Sequence, residues 1–367
     1  MSTNQNKQSK NTYFMNLALN QAIHVLGNTK DNPAVGCVIT KNDNVISAAS
    51  TSFNGRPHAE QNAINFLNQN ISNSNVYITL EPCSNYGKTN PCVKKLINKK
   101  VGKIFFSVKD PDPRSYNKSL RQFKKKKIKV NIGICSDKIN DFYKSYFKYK
   151  KNDLPFVTAK IATSKDFYTY DKRKKWITNI YSRGRVHLMR SNHDCVISSS
   201  QTIVKDNSLL TCRIKGLEKR SPARVILDGK LKISLKSKIL RDAFKYQTFV
   251  FYNKFNKKKI DILNNLKVKT YKIPNNAKGN LNLKSVLVKT KSLGFSRIFL
   301  ETGINLTASF LKDNLVNDLK IFISNKKLGN NGNLNIKKHL NLLLKNKKKT
   351  IEKVNLLGNK LISYKLK

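Results

Sequence analysis

Cysteines, acidic residues and long apolar runs are all scarce in this sequence. Six cysteines in 367 residues are too few for a disulfide-rich secreted scaffold. No apolar run reaches the roughly 18–20 residues that a membrane-spanning helix needs. The N-terminal segment MSTNQNKQSKNTYF is polar and lacks the apolar core of a signal peptide. We therefore expect a cytoplasmic protein with reduced thiols and no membrane partner.

The shortage of acidic residues leaves a large positive charge. There are 21 acidic residues against 72 lysines and arginines, a formal net charge of +51. Such an excess attracts phosphate backbones. The charge is uneven, however, because residues 1–90 hold six basic and four acidic side chains, whereas residues 151–367 hold 48 and 13. We interpret the lysine tracts mainly as solvated surface, which predicts that any nucleic-acid binding is non-specific.

The pattern of helices and strands predicts two α/β domains. Residues 1–150 alternate helical and strand patterns, such as YFMNLALNQAIHVL, VGCVIT, HAEQNAINFL and NVYITL. Residues 151–367 also alternate, with strand patterns at DCVISS, ARVILD, TFVFY, RIFLE and LKIFIS. Alternation of this kind predicts helices packed on the faces of a sheet. We place the boundary near residue 150 and expect domains 1–150 and 151–367.

Four residues of the first domain form a pattern typical of zinc deaminases. The segment PHAE supplies His58 and Glu60, and TLEPCSNYGKTNPC supplies Cys83 and Cys92. The order His-x-Glu, Pro-Cys and a second cysteine is the one these enzymes use. Three protein ligands leave a fourth position open for water, and a carboxylate outside the ligand set can carry its proton. The pattern predicts His58, Cys83 and Cys92 as zinc ligands and Glu60 as the catalytic residue.

The predicted helices suit this chemistry. His58 and Cys92 each stand at the beginning of a predicted helix, where the helix dipole favours an anionic thiolate. An isolated cysteine is usually a small hydrophobic residue, and an isolated histidine is usually structural. We interpret the other cysteines and histidines in that way: Cys37, Cys135, Cys195, Cys212, His24, His187, His193 and His339.

The first 150 residues or so resemble the deaminase half of the bifunctional riboflavin-biosynthesis deaminase/reductase family. The landmarks are NPAVGCVI, GRPHAE, TLEPCSNYGKTNPC and DPDP. Eight residues separate Cys83 from Cys92, whereas cytidine and tRNA-adenosine deaminases typically have two residues between their cysteines. The resemblance implies a cytidine-deaminase-like three-layer domain. It also implies substrate contacts at Asn32 and along the loop from Ser84 to Lys88.

The second half resembles the reductase half of the same family, which has a dihydrofolate-reductase-like fold. The landmarks are KIATSKD, KWIT, RGRVHLMRSNHDCVISSSQTIVKDNSLLTCR, ARVILD and IFLETGINLTASFL. The tail beyond about residue 345 matches no landmark. No G-x-G-x-x-G motif is present, so a dinucleotide would bind without that fingerprint. A loop entering a helix, as in TGINLTAS, still offers backbone N–H groups to phosphate.

The resemblance implies two reactions and two cofactors, Zn²⁺ and NADPH. A diaminopyrimidinone carrying a phosphoribosylamino group would lose its 2-amino group, and its ribose would then be reduced to a ribityl chain. The implied NADPH contacts are Ala162, Trp176, Thr202, Asp206, Gly303, Ile304, Asn305, Leu306, Thr307, Ala308 and Ser309. The implied substrate contacts in the second domain are Lys174, Arg190, Leu210, Arg213 and Glu301.

Three positions depart from the family pattern. The segment SKDF stands where the family usually has Ser-Leu-Asp-Gly, so Lys165 and Phe167 replace leucine and glycine. A positive φ is unfavourable for phenylalanine. We therefore expect a reshaped turn if the family has glycine here because glycine can adopt a positive φ. Lys174 replaces a serine that usually contacts substrate.

Two alternatives stay open at this point. One is a nucleic-acid base deaminase whose basic second half binds the backbone, and the other is a deaminase with an inactive reductase half. The near-neutral residues 1–90 and the long loop between the cysteines argue against the first alternative, and the substitutions at Lys165, Phe167 and Lys174 motivate the second. The sequence also leaves open whether the chain forms a homo-oligomer.

Overall fold

The computed structural model describes residues 2–87, 90–151 and 154–367, with side chains from Ser9 onward. The chain divides into two compact units, Met1–Asp153 and Leu154–Lys367. Lys88, one of the expected substrate contacts, lies outside the described residues. Each unit has its own sheet and its own apolar core.

Helices and strands alternate along the first unit. In chain order they are α1 (Ser2–Val25), β1 (Gly36–Lys41), β2 (Asn44–Ser50), α2 (Ala59–Asn65), β3 (Asn75–Leu80), α3 (Cys92–Asn98), β4 (Lys103–Val108), α4 (Lys118–Lys125), β5 (Lys129–Ile132) and α5 (Ser136–Lys150). Among the described residues, the strands form one sheet in the order β2-β1-β3-β4-β5. The strand β1 runs antiparallel to β2 and β3, whereas β3, β4 and β5 are parallel.

The apolar strands VYITL and IFFSV form the centre of this sheet. Strands β3 and β4 are buried along almost their whole length, which is expected of parallel strands covered on both faces. The helix α1 lies so close to β1 that a Cβ atom at Gly36 would overlap the carbonyl oxygen of Ala18. This packing leaves the carboxyl end of β3 and the start of α2 facing a cavity.

The second unit contains a larger sheet. Its elements are β6 (Phe156–Thr163), β7 (Tyr168–Asp171), α6 (Ile180–Ser191), β8 (Cys195–Ser199), α7 (Ser200–Asp206), β9 (Ala223–Leu227), α8 (Lys238–Arg241), β10 (Thr248–Tyr252), α9 (Lys257–Asn265), β11 (Lys269–Lys272), α10 (Leu283–Ser292), β12 (Arg297–Leu300), α11 (Ile304–Lys312), β13 (Asp318–Ile323), β14 (Gly332–Asn335), α12 (Lys337–Leu344), β15 (Lys348–Ile351) and β16 (Lys360–Lys365). Within residues 154–367, the main sheet has the order β11-β10-β9-β8-β12-β6-β13-β16-β15.

The strands from β11 to β13 in this order are parallel, and β16 and β15 add an antiparallel edge. The tail beyond residue 345, which matched no sequence landmark, therefore completes the sheet. The first strand of the unit, β6, lies between β12 and β13. Side chains alternate between the two faces of a strand, so Val157, Ala159 and Ile161 enter one core while Lys160 and Ala162 share the opposite face.

The turn after β6 differs from our expectation. Phe167 keeps a left-handed backbone with φ of +66°, so phenylalanine occupies the conformation that would suit glycine. Neighbouring contacts hold it there: its N–H donates to Ser164 (3.1 Å), its carbonyl accepts from Ile336 (3.0 Å), and its ring packs against the core. The Asp166 carboxylate accepts the N–H groups of Leu328 and Gly329. These contacts fix the turn despite the backbone strain.

Candidate functional site

Three side chains of the first unit converge. Nδ1 of His58 lies 3.5 Å from Sγ of Cys83 and 3.5 Å from Sγ of Cys92. All three atoms lie within 4.8 Å of one another. The fold therefore brings together the three residues that the sequence predicts as zinc ligands.

Each residue of this cluster is placed by the end of an element. His58 is the residue just before α2, with extended backbone, and Cys92 is the first residue of α3, directly after Pro91. Cys83 follows β3 and is fixed by α3, since Sγ of Cys83 accepts the Cys92 N–H (3.3 Å) and its carbonyl accepts the Val93 N–H (3.3 Å). Proline suits the start of a helix because no N–H is needed there.

The spacing of the cluster fits a tetrahedral zinc ion. Bonds of about 2.3 Å to sulfur and about 2.0–2.1 Å to nitrogen would separate the two ligand atoms by about 3.5 Å in tetrahedral geometry. Both observed sulfur–nitrogen distances have this value. The donor set of one imidazole and two thiols is also one that zinc prefers.

The thiols and carboxyl of this site have perturbed pKa values. Hydrogen bonding to the Cys92 thiol and to His58 lowers the pKa of Cys83 to about 4, although burial opposes the shift. The pKa of Cys92 is raised, chiefly by its contact with Cys83 and also by burial. Burial, and then the nearby Cys83 charge, raise the pKa of Glu60, which is 3% exposed. A buried carboxyl with a raised pKa is suited to taking up and releasing a proton.

Polar side chains line the cavity beside the cluster. Asn32, Arg56, Glu60 and Asn85 line it together with the DPDP segment. Gly55, with φ of +88°, leaves room for the Asn32 side chain, which a Cβ atom at that position would overlap. The expected substrate contact Asn32 therefore lies in the same cavity as the predicted catalytic residue. From the expected loop, Asn85 and Gly87 also line this cavity.

The sequence analysis did not assign roles to the DPDP carboxylates. Oδ1 of Asp110 accepts the Tyr146 hydroxyl and the Asp112 N–H, each at 3.0 Å, and burial raises the pKa of Asp110 to about 6. Asp112 pairs with Arg114 (2.7 Å) and Lys150 (3.1 Å), and hydrogen bonding from Arg114 holds its pKa well below the usual range. Lys150 belongs to the end of α5, so only the folded unit brings it here.

Predicted substrate residues of the second unit form a buried ion pair. Arg190 donates from Nε and Nη2 to the two carboxylate oxygens of Glu301, each at 2.8 Å. Burial opposes ionisation of Glu301, but Arg190 outweighs it and lowers the Glu301 pKa to about 2. Arg190 lies in α6 and Glu301 directly follows β12, so residues far apart in sequence meet at the carboxyl edge of the sheet.

Lys160 lies close to this pair and was missed by the sequence analysis. It sits on the same face of β6 as Ala162, a predicted cofactor contact. Burial lowers the pKa of Lys160, while Glu301 and Asp206 oppose that shift. The signal in the sequence was a lone lysine inside the apolar strand FVTAKIAT, but it was one among many lysines.

The predicted cofactor residues Thr202 and Gly303 are brought together. Oγ1 of Thr202 accepts the Gly303 N–H at 3.1 Å and lies 2.9 Å from the Ser199 hydroxyl. Gly303 is the residue before α11, so the free N–H groups of the first helical turn begin here. Gly303, Asn305, Ala308 and Ser309 are exposed, Thr307 is buried, and Ile304 and Leu306 pack on the core.

The other predicted contacts lie in two loops. Trp176 is 54% exposed, which is unusual for tryptophan, and lies 5.1 Å from the Arg183 guanidinium. Lys174 is exposed in the same loop, and Lys175 donates to the backbone oxygen of Asp206 at 3.4 Å. Leu210 is buried and Arg213 is exposed in the loop after α7. Within the described residues, no helix is long and apolar enough to cross a membrane.

Comparison with known proteins identifies both units. The family described as "Cytidine and deoxycytidylate deaminase zinc-binding region" matches residues 8–108, and the "RibD C-terminal domain" matches residues 155–356. The former supports zinc as a cofactor, in agreement with the cluster of His58, Cys83 and Cys92. The latter supports a pyridine nucleotide for the reductase unit.

Relatives match along nearly the whole chain. "Riboflavin biosynthesis protein RibD" of Aquifex aeolicus is 31% identical over 356 residues, covering 96% of this chain and 97% of the relative. The structure of Acinetobacter baumannii RibD (form 2) superimposes with a TM-score of 0.82 at 26% identity, covering 98% of this chain and 99% of that one.

The structure of a Thermotoga maritima protein, titled diaminohydroxyphosphoribosylaminopyrimidine deaminase/5-amino-6-(5-phosphoribosylamino)uracil reductase, gives a TM-score of 0.83 at 25% identity. The match covers 98% of this chain and 99% of the Thermotoga maritima chain. The fold class and the family resemblance expected from the sequence are therefore confirmed. The chain belongs to the RibD family of bifunctional riboflavin biosynthesis enzymes.

Proposed function

We propose that this enzyme catalyses two successive steps of riboflavin biosynthesis. The first is zinc-dependent deamination of 2,5-diamino-6-(5-phosphoribosylamino)pyrimidin-4(3H)-one. The second is reduction by NADPH of the ribose in 5-amino-6-(5-phosphoribosylamino)uracil. The observation that carries the proposal is the convergence of His58, Cys83 and Cys92 beside buried Glu60, in a chain whose second unit matches the reductase domain.

In the deamination, His58, Cys83 and Cys92 would hold the zinc ion. When bound, zinc polarises a water molecule and makes it a stronger nucleophile at neutral pH. Glu60 takes one proton from this water as the oxygen bonds to C2, and delivers it to ring N1 as the C2–N1 double bond becomes single. Glu60 then carries the remaining hydroxyl proton to the 2-amino group, so that the exocyclic C2–N bond breaks, ammonia leaves and the C2 carbonyl forms. Asn32 and the loop residues Ser84–Gly87 hold the ring in the cavity.

In the reduction, bound NADPH would supply a hydride to C1 of the open-chain imine, and the imine nitrogen would take a proton from solvent as the C1–N double bond becomes single. The chain aligns the two reactants. The start of α11 and Thr202 bind cofactor phosphate, while Ala162, Trp176 and Asp206 contact the rest of the nucleotide. Glu301 and Arg190 orient the substrate. Arg213 binds the sugar phosphate, because a guanidinium can bind two phosphate oxygens at once.

The family match favours this function over both alternatives. A nucleic-acid base deaminase would not require a complete reductase unit. The contact of Thr202 with Gly303 and the pairing of Arg190 with Glu301 support an active reductase half. Lys174 lies exposed where the serine is replaced and remains a proposed substrate contact. We also propose the cytoplasmic location that the sequence predicts.

One assay tests the proposal. Purified protein would receive the diaminopyrimidinone phosphoribosyl substrate with and without NADPH, and the products would be identified by mass spectrometry. We expect the deaminated ribosyl compound without NADPH and the ribityl compound with it. Deamination without any reduction would favour the alternative in which the chain is a deaminase with an inactive reductase half. Deamination of a nucleic acid instead of this substrate would overturn the proposal.

A further inference from the structure

The loop Leu209–Arg213 of the second unit is strained. Leu210, in the middle of this loop, has φ of +55° and is only 1% exposed. A left-handed backbone costs a non-glycine residue roughly 1–2 kcal/mol. Such conformations persist where surrounding contacts over-determine the backbone, and they concentrate at functional sites. The contacts that hold this loop are therefore informative.

Buried partners hold the loop at several points. Arg224, which is fully buried, donates to the Leu209 carbonyl at 3.2 Å. Arg190 donates from Nη1 to the Thr211 carbonyl at 2.8 Å. The Cys212 N–H donates to the Ser221 hydroxyl at 3.0 Å. The Arg213 N–H, at the end of the loop, has a different partner.

That partner is His187 of α6. Its Nδ1 atom accepts the Arg213 N–H at 3.3 Å and lies 3.2 Å from Nη1 of Arg190. A backbone N–H and a guanidinium can only donate, so both contacts require an unprotonated Nδ1. The Thr211 carbonyl also lies 3.0 Å from Nδ1 and accepts from Arg190. We assign the Nε2–H tautomer to His187 because two donors face Nδ1. One imidazole nitrogen thus connects the ion pair of Arg190 and Glu301 to the backbone of Arg213.

We propose that His187 is a positioning residue of the reductase, which fixes the Arg213 backbone and the Arg190 guanidinium so that both meet the phosphoribosyl substrate correctly. The inference rests on the proposed function of the second unit. It assigns His187 a role in substrate binding in place of the structural role expected from the sequence. His187 acts through Arg190 and Arg213 and has no part in hydride transfer.

The electrostatics of the site agree with this assignment. Burial, and then the positive charges of Arg190 and Arg213, lower the pKa of His187 to about 4. The imidazole is therefore neutral at physiological pH, as the assigned Nε2–H tautomer with Nδ1 as acceptor requires. A charged histidine would direct a proton at two donors and repel both arginines.

Three substitutions separate a positioning role from a structural one. In His187→Asn, the amide oxygen occupies the place of Nδ1 and can accept the Arg213 N–H. In His187→Gln, the amide extends past that place. His187→Leu removes the acceptor but suits a helix better than asparagine does. A structural role would rank leucine above asparagine, whereas a positioning role ranks asparagine above leucine.

The test uses the full chain and measures reductase kinetics on the isolated deaminated intermediate. We expect His187→Leu and His187→Gln to raise the KM for that substrate about tenfold, the effect of losing one or two hydrogen bonds. His187→Asn should stay within about threefold of wild type. The dissociation constant for NADPH and the deaminase rate should be unchanged in all three variants. An unchanged dissociation constant for NADPH also reports that the second unit is folded in each variant.

Two results on KM would overturn the inference, and one result on kcat would do so as well. One is an unchanged KM in His187→Leu, and the other is a loss in His187→Asn equal to or larger than that in His187→Leu. A uniform loss of kcat that follows thermal stability would likewise show a structural role. The wild-type assay tests the proposed function separately. If wild-type protein lacks reductase activity, the proposed function of this unit is wrong, whatever the His187 variants show.

Discussion

The two units build their candidate sites in different ways. In the first unit, three ligand atoms within 4.8 Å come from residues 58 to 92, at the starts of two helices and the end of one strand. In the second unit, the site collects Lys160, Arg190, Thr202, Glu301 and Gly303 from strands, helices and loops along much of the unit. A compact motif is thus visible in sequence, whereas a dispersed site depends on the packing of the whole unit.

The largest expected effect tests whether the first site works independently of the second. Cys92→Ala removes one of three ligands, so we expect zinc content to fall from about one per chain to near zero and deamination to fall below detection. Reduction of the deaminated intermediate should remain within about twofold of wild type. Metal analysis and the two separate assays check this. Cys135→Ala, outside the cluster, is the matched control, and retained zinc with full deamination in Cys92→Ala would refute the ligand assignment.

A second substitution separates metal binding from proton transfer in the same site. Glu60→Gln keeps the size of the side chain but cannot carry a proton, so deamination should fall about 10²–10⁴-fold while zinc content stays unchanged. Glu218→Gln, at an exposed position, should have no effect. Full deaminase activity in Glu60→Gln would contradict the proposed mechanism.

The third prediction tests whether the second site depends on its packing. The pKa of Glu301 is lowered to about 2 in the folded chain, so its ionisation stabilises the fold above about pH 5, and this stabilisation is lost as the pH falls toward 2. The shift corresponds to about 3 kcal/mol. Glu301→Gln should therefore lower the free energy of unfolding by roughly this amount at pH 7. The free energy of unfolding of this variant should also fall less than that of wild type as the pH falls from about 5 toward 2.

Hydrogen exchange of peptides from β6 and β12 measures this effect within the second unit. Glu352→Gln is the control, since its pair with Lys320 is more exposed and should contribute no more than about 1 kcal/mol. Equal destabilisation by both substitutions would show that the Glu301 pair has no special role. The reductase rate should fall only in Glu301→Gln.

The smallest expected effect concerns the strained turn at Phe167. Glycine and alanine both remove the ring, but only alanine keeps the cost of a positive φ. Phe167→Gly should therefore be about 1 kcal/mol more stable than Phe167→Ala, as measured by urea unfolding. At Lys165, whose φ is not positive, the order should reverse, because glycine loses more backbone entropy. Greater stability of alanine at Phe167 would mean that the turn relaxes.

The sequence allowed prediction of the fold class and the family, because each depends on short-range patterns. That His58, Cys83 and Cys92 lie together could also be expected from residue type and order, whereas their role as zinc ligands and the catalytic role of Glu60 stay predictions. Lys160, Asp110 and His187 could not be identified in this way, since their chemistry arises from neighbours that the fold brings together. Phe167 is the opposite case. Phenylalanine disfavours the positive φ of this turn, yet backbone hydrogen bonds with Ser164 and Ile336 hold it there.

The position of β6 in the large sheet has a consequence for synthesis on the ribosome. This strand is the first of its unit to be made, yet its partners β12 and β13 end as late as Ile323. At about 5–20 residues per second, the wait lasts on the order of ten seconds. The first unit can fold and bind metal during this time, whereas β6 stays unpaired. Its apolar segment is then a target for chaperones and a site where nascent chains can aggregate.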